Sequence, residues 1–430
     1  MKTKPFDNLI IIIGSDHHNT LAAIRAFGKE NCELRVIIHG CQLVRDRLQV
    51  LKCRYVKRSN AYVIEDDAEA LLETLKGLVR GDRKGLLFPA SDFAEYVIDS
   101  NFARLSHDFI APGYAGAPGK TVEMMDKWNQ YLFSQRLGIP MASTYLLPTE
   151  DCRIPSELTY PCIVKPRISA MGSKGDIKVC RSEEELRHAV GTYRKLGYAD
   201  ALVQEYLNKK LEANSLGAII RTKDETRSYG GLAIKLREQL ESATSFAFFA
   251  AGDHAEDASR FPAAASILAE YGKDGALTEE AYRQLTEVNG AILREMAVQG
   301  YSGFYDIDYL LCDGAVYLNE INFRHSGNGY TMTAKKRNAP FWWACEMLGV
   351  PCETPPAIPI GSFFMAELLD KMYVKRRQIK LFRWLKDIKR ASAFAIFDRT
   401  DLAASLGLYC ASGLRKIKRL FTGSKGKKTT

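Results

Sequence analysis

The chain has 430 residues, of which 46% are hydrophobic and 26% charged; this globular composition excludes wholesale disorder and leaves room for roughly two to four domains. Its longest apolar runs, residues 9–13 and 246–251, fall far short of the ~18–20 residues of a bilayer-spanning helix, and its ten cysteines are scattered with no C-x-x-C pair, which excludes a disulfide framework or a zinc knuckle. The net charge of +9 is uneven: seventeen Lys and Arg against three Asp fall after residue 370, so a mildly acidic body carries one basic end, unlike the uniform basicity of a nucleic-acid binder.

Residues 1–7 lead straight toward a strand with no h-region, so no signal peptide is expected, and the use of cysteines in apolar runs fits a reducing, cytoplasmic setting. Residues 9–13 are a continuous β-branched run closed by Gly14, and residues 20–27 have helical spacing ending at Gly28. Residues 34–38 and 85–89 read as further strands, and 65–79 and 93–100 as helices. This alternation predicts a doubly wound parallel sheet. Gly14-Ser15-Asp16 is either a tight turn or a ligand contact beyond the strand's carboxyl end; it is not a G-x-G-x-x-G, so a dinucleotide has little support.

Residues 121–137 have one continuous helical pattern. An apolar strand then ends on Val164-Lys165-Pro166, and a polar, glycine-bearing loop follows over 167–175. Strands are expected at 177–179 and 201–207, with a helix over 182–193 between them. Residues 215–220 and 231–236 read as antiparallel strands, and 276–299 as a long amphipathic helix. Segment 242–275 is apolar and aromatic, and is read either as a wall of the substrate pocket or as a packing insert. Residues 302–311 and 316–321 flank Cys312-Asp313-Gly314, a strong hairpin signal.

The hairpin carries the sharpest chemistry. Asp308 is on its first strand, and Glu320 and Asn322 are two apart on the second, hence on one face. Hard oxygen ligands converging beside a basic wall suit Mg2+ shared with phosphate oxygens, and Arg324 continues the same face toward a phosphoryl group or carboxylate. An edge hairpin with outward polar residues is the plain alternative. Lys165 closes an apolar strand, where an ammonium is costly unless it meets an anion. The loop with Ser173 and Lys174 could cover phosphates, and Lys127 could add a second cation. The strand exit at Glu205, Tyr206 and Leu207 could meet an adenine edge, and Glu212 could accept from ribose hydroxyls.

In this order, Asp126-Lys127, Val164-Lys165-Pro166, Met171-Gly172-Ser173-Lys174-Gly175, Gln204-Glu205-Tyr206-Leu207, Ile307-Asp308-Tyr309 and Asn319-Glu320-Ile321-Asn322-Phe323-Arg324 resemble the ATP-grasp superfamily over about residues 5–335. The likeness is to the branch with carbamoyl-phosphate synthetase large chains, biotin-dependent carboxylases and purine-biosynthetic ligases. It implies a Rossmann-like N-terminal subdomain followed by two α+β lobes that clamp ATP. The expected divisions are a Rossmann-like domain over 1–118, the two-lobed ATP-grasp domain over 119–335 and a basic, helical C-terminal extension over 336–430.

By that resemblance Lys127 and Lys165 contact ATP phosphates, with Ser173 and Lys174 in the covering loop. Glu205, Tyr206 and Leu207 hold adenine, and Glu212 the ribose. Asp308, Glu320 and Asn322 bind Mg2+, or Mn2+ in its place, and Arg324 and Lys165 serve the reacting groups. The implied reaction is an ATP-dependent carboxylate–amine (or thiol) ligation through an acyl phosphate, releasing ADP and phosphate from small-molecule substrates. A nucleotide-binding protein without turnover is the alternative; the intact metal set argues against it. Phe323 stands where relatives have proline, and residues 325–330 lack the Gln-Val-Glu-His run of biotin carboxylases, which disfavours biotin carboxylation.

In the basic end, Ile379, Phe382, Leu385 and Ile388 recur at helical spacing within 371–390, among many Lys and Arg. Two outcomes are open: peripheral contact of this helix with an anionic membrane, reinforced by basic residues at 415–419 and 425–428, or packing on the body with its charges in water. Residues 421–430 have the composition of a disordered segment, and no specific nucleic-acid partner is expected.

Overall fold

The computed structural model describes residues 4–81, 83–168, 176–221, 225–237, 245–251 and 258–406. Strands β1 (Ile10–Gly14), β2 (Leu34–His39), β3 (Ala61–Ile64), β4 (Gly85–Pro89) and β5 (Phe109–Ile110) form a parallel sheet in the order β3-β2-β1-β4-β5. Helices His18–Lys29, Ala68–Lys76 and Asp92–Ser100 connect it, as the alternation predicts. Short β6 (Gly113–Tyr114) leaves this sheet to pair with a strand far downstream.

A second, antiparallel sheet has the order β7-β10-β8-β9, from β7 (Thr144–Pro148), β8 (Cys162–Lys165), β9 (Lys178–Cys180) and β10 (Asp200–Glu205). Helix Glu183–Lys195 covers it through Leu186, Ala189, Val190 and Tyr193. The largest sheet contains β11 (Leu211–Arg221), β12 (Thr226–Lys235), β13 (Phe246–Ala251), β14 (Tyr301–Cys312), β15 (Ala315–Asn322), β16 (Phe363–Met365) and β17 (Ala393–Phe394), in the order β15-β14-β11-β12-β13-β16-β17. Asp313 and Gly314 both have positive φ in the β14–β15 turn, the conformation for which an Asp-Gly pair is suited.

Both faces of this sheet are covered, so its strands are apolar almost throughout. Ala213, Ile219, Tyr305, Ile307 and Tyr309 face one core with helix Glu279–Val298. Leu216, Ala218, Ile220, Phe248 and Phe304 face a second core shared with the N-terminal sheet and with Trp342 and Trp343. The C-terminal extension is therefore built into the body: besides helices Ala339–Leu348, Glu367–Lys375 and Leu381–Arg390 it supplies strands β16 and β17.

Two predicted helices are broken. The pattern over 121–137 divides into Lys120–Met125 and Lys127–Arg136, because Asp126 turns extended and its carboxylate caps the second helix at the Trp128 amide. The pattern over 371–390 divides at Arg376 and Arg377, where Arg377 has φ +59°. Residues 169–175 and 407–430 lie outside the described residues, and with them Ser173, Lys174 and the basic clusters at 415–419 and 425–428. Segment 242–275 is described only in part, as β13 and helix Phe261–Glu270. Among the described residues no helix is long and apolar enough to cross a membrane.

Candidate active site

The strand register assembles the site. Asn214 on β11 lies opposite Asp308 on β14, which lies opposite Glu320 on β15, and Asp306 lies opposite Asn322. The Asn214 amide donates to the Asp306 carboxylate at 2.5 Å and to that of Asp308 at 3.0 Å, and itself accepts from Asn328 at 3.0 Å. Asp308 is crowded: burial, with the Asp306 and Glu320 charges beside it, pushes its carboxyl up to about 7. Asp306, absent from the sequence-level set, is two residues before Asp308 and shares its face; the period-2 rule that paired Glu320 with Asn322 would have found it.

Across from these acids stand cations. Lys127 Nζ is 3.0 Å from Glu320 Oε1. Its helix is pinned to β15 by Gln130, whose amide donates to Ile321 O at 2.8 Å and accepts from Ile321 N at 2.9 Å. The backbone N–H of Lys127 donates to Arg167 O at 2.9 Å, and Arg167 Nε donates to Asp126 Oδ2 at 2.9 Å, which locks the helix start to the end of β8. Lys165, the last residue of β8, donates to Gln204 Oε1 at 2.8 Å. Burial pushes its ammonium down to about 8; the Glu320 charge opposes that shift and Lys127 adds to it.

Arg324 joins the hairpin to the N-terminal sheet. Its Nε donates to Asp92 Oδ1 at 2.8 Å and its Nη1 to Asp306 Oδ2 at 3.4 Å. The loop after it packs against helix His18–Lys29: a Cβ on Gly327 would lie 2.1 Å from the His18 ring, and Gly327 N donates to Asn19 Oδ1 at 2.9 Å. Asp16 is occupied structurally, accepting from Gln49 N at 2.8 Å and Val50 N at 2.9 Å, which gives the tight-turn reading of Gly14-Ser15-Asp16 its support.

The carboxyl ends of the parallel strands carry a further group that sequence reading missed, because its members come from the ends of three different strands. His39 is buried, with Nδ1 2.6 Å from Asp66 Oδ1 and Nε2 2.6 Å from Ser91 Oγ. Burial lowers the imidazole pKa against the pull of Asp66. As a neutral ring it donates from Nδ1 to the carboxylate and accepts the Ser91 hydroxyl at Nε2.

At the exit of the second sheet, Glu205 ends β10; its backbone N–H donates to Ser143 O at 2.9 Å, and the Tyr206 amide donates to Pro161 O at 3.3 Å. Tyr206 is exposed and Leu207 half-buried. Glu212 is in ion pairs with Lys209 and, at 2.5 Å, Lys235. The Asp308 charge acts on both lysines, so Glu212 stands beside the β14–β15 hairpin. A separate cavity of about 700 Å3, lined by Lys178, Glu184, His188 and Tyr193, shares no residue with this site.

The donor set fits a hard divalent cation: two carboxylates and an amide on one hairpin, with a third carboxylate tied to Arg324. Among the described residues no group of three or more His, Cys, Asp or Glu is placed to hold a metal ion.

No family model matches the chain, and no curated protein matches it in sequence. Solved structures do. An N5-carboxyaminoimidazole ribonucleotide synthetase bound to ADP is 14% identical, with a TM-score of 0.54 over 86% of this chain and 85% of that one. Biotin carboxylase from Campylobacter jejuni in its βγ-ATP complex is 15% identical, with a TM-score of 0.57 over 82% and 74%. L-amino acid ligase from Bacillus licheniformis is 14% identical, with a TM-score of 0.51 over 80% and 74%. At such identities the likeness is one of fold, and it is the fold that the resemblance implied.

Proposed function

We propose that this chain, whose fold is that of the ATP-grasp superfamily, is an ATP- and Mg2+-dependent ligase that joins a carboxylate to an amine or a thiol. One observation carries the reading: the same buried cleft pushes a carboxyl up to about 7 and an ammonium down to about 8. Burial and like-charge crowding work against the charged forms of Asp308 and Lys165, and a magnesium nucleotide would offset both, its cation beside the acids and its phosphates beside the lysine. The fold is found elsewhere holding ADP, a βγ-ATP complex, and Mg-ADP with bicarbonate, which supports a nucleotide in this cleft.

In this reading Asp308, Glu320 and Asn322 hold the metal, which when bound neutralises charge on the phosphate oxygens. Lys127 and Lys165 draw the transferred phosphoryl group toward the hairpin. Glu205 and the Tyr206–Leu207 backbone take adenine, and Glu212, oriented by Lys209 and Lys235, keeps lone pairs for ribose hydroxyls. Arg324, fixed by Asp92 and Asp306, orients the substrate carboxylate.

A carboxylate oxygen attacks the γ-phosphorus and ADP leaves. The amine then attacks the acyl carbon, inorganic phosphate leaves, and the amine's proton passes to solvent or a base. Phosphate is the better leaving group, so one hard displacement becomes two easier ones. His39, held between Asp66 and Ser91, the neighbour of the Asp92 that fixes Arg324, is the candidate in this reading to accept that proton through the Ser91 hydroxyl. A screen of amino acids, hydroxy acids and amines for substrate-dependent ADP release tests the reading: release that needs both partners supports it, and nucleotide binding without release under any pair favours the non-catalytic alternative.

A further inference from the structure

The C-terminal helix Leu381–Arg390 has two faces that differ in kind. Its inner face is docked: Asp387 is fully buried and accepts from Arg237 at 2.6 Å and from the Tyr271 hydroxyl at 2.9 Å. Arg383 lies 3.6 Å over the Tyr271 ring and donates to Glu270 O at 2.7 Å, and Arg390 pairs with Glu270 at 2.5 Å. Trp384 and Ile388 pack on the main core. These ties hold the helix in one orientation, so its outer face is a fixed display.

That outer face is apolar where it should be polar. Phe382 is 86% exposed, Leu381 53% and Leu385 43%, one turn of one helix. Lys375, Arg376, Arg377, Lys380, Lys386 and Lys389 are exposed around them, and the only acid within 371–390, Asp387, is turned inward. The chain beyond residue 406 adds seven more Lys and Arg and no acid.

We infer that this surface docks on an anionic lipid bilayer, with Phe382, Leu381 and Leu385 entering the headgroup–acyl boundary and the surrounding lysines and arginines neutralising lipid phosphates. A second copy of the chain is a poor occupant, because two such faces bring like charges together. Single-stranded nucleic acid is also a poor one, because two of the three apolar side chains are aliphatic and offer no stacking plane. The inference stands apart from the ligase reading: it concerns where the enzyme sits, and its test uses no substrate.

The test is sedimentation of the full-length chain with vesicles of equimolar phosphatidylglycerol and phosphatidylcholine, and with phosphatidylcholine alone. Wild type should partition to the anionic vesicles at least about tenfold more than to the neutral ones, weakening with salt. Phe382→Asp/Leu385→Asp should lose that binding while keeping the wild-type melting curve and ADP affinity; Phe382→Ala/Leu385→Ser, milder, should lose part of it. Three results would overturn the inference: no sedimentation of wild type, full binding by both double variants, or a change in oligomeric state in the variants with vesicle binding intact.

Discussion

Asp308 separates a structural from a functional account of the hairpin. Its pKa is raised from an ordinary carboxylate value to about 7, so the folded state keeps a proton that the unfolded state releases. The cost of ionising it grows as pH rises from about 4 to about 7 and is constant above that. Asp308→Asn removes the cost and leaves Asn214 a carbonyl to donate to. At pH 8 the variant should melt at or above the wild-type temperature while turnover falls by about a hundredfold or more. Glu320→Gln should lose turnover similarly; near-wild-type ADP production by either at saturating Mg2+ would refute the metal assignment. Lys165 gives the complementary result. Its ammonium is pushed down to about 8, and a phosphate beside it raises that value again. Above pH 8, ADP binding should therefore take up a proton and weaken as pH rises, which calorimetry in buffers of different ionisation enthalpy detects. Lys165→Ala should abolish the uptake and lower affinity about tenfold or more, a far larger effect than the one on thermal stability, where relief of a buried charge offsets the lost bond to Gln204.

Among the elements, helix His18–Lys29 is held from the far end of the chain. Arg25, fully buried, donates to Asp401 at 2.9 Å and to Ile396 O at 2.7 Å, and Asp401 also accepts from Arg54 N at 2.9 Å. Asp401→Ala strands a buried guanidinium and should cost about 3–5 kcal/mol in urea unfolding; a loss under about 1 kcal/mol would show that Arg25 finds other partners. The elements also show what a sequence can and cannot convey. The β14–β15 hairpin was legible because alternation and Asp-Gly are local signals, which put Asp308 on one strand and Glu320 and Asn322 on one face of the other; the register came with the fold. The break at Asp126 was not, since periodicity runs through it and the cause is a cap plus a tie to Arg167, just beyond the end of β8. β16 was illegible for a related reason: three residues, Phe363–Met365, pair with a strand more than a hundred positions away. The apolar positions in 379–388 carried helical spacing, yet Ile379 is buried in the connection before the helix, and Phe382 and Leu385 face out because buried Asp387 and the Arg237 it meets set the rotation of the helix.

At the scale of the whole molecule, the C-terminal third closes cores begun at the N-terminus. Trp342 and Trp343 are fully buried among residues of β1, β4, β11 and β12, and β16 extends the large sheet. A chain ending at residue 335 should therefore give no cooperative melt. The cleft is likewise built from distant parts: Asp92 of the N-terminal layer fixes Arg324, and Lys127 of helix Lys127–Arg136 and Lys165 of the second sheet act on Glu320. The central claim is that this cleft activates a carboxylate with the γ-phosphate of ATP. It is tested most directly by incubating the full-length chain with Mg2+-ATP, mixed amines and a pool of amino and hydroxy acids labelled with oxygen-18 in the carboxyl group, then analysing the inorganic phosphate by mass spectrometry. Oxygen-18 in the phosphate, formed one for one with ADP and absent in Glu320→Gln, is the result the account predicts. Unlabelled phosphate, or AMP and pyrophosphate in place of ADP, would contradict it.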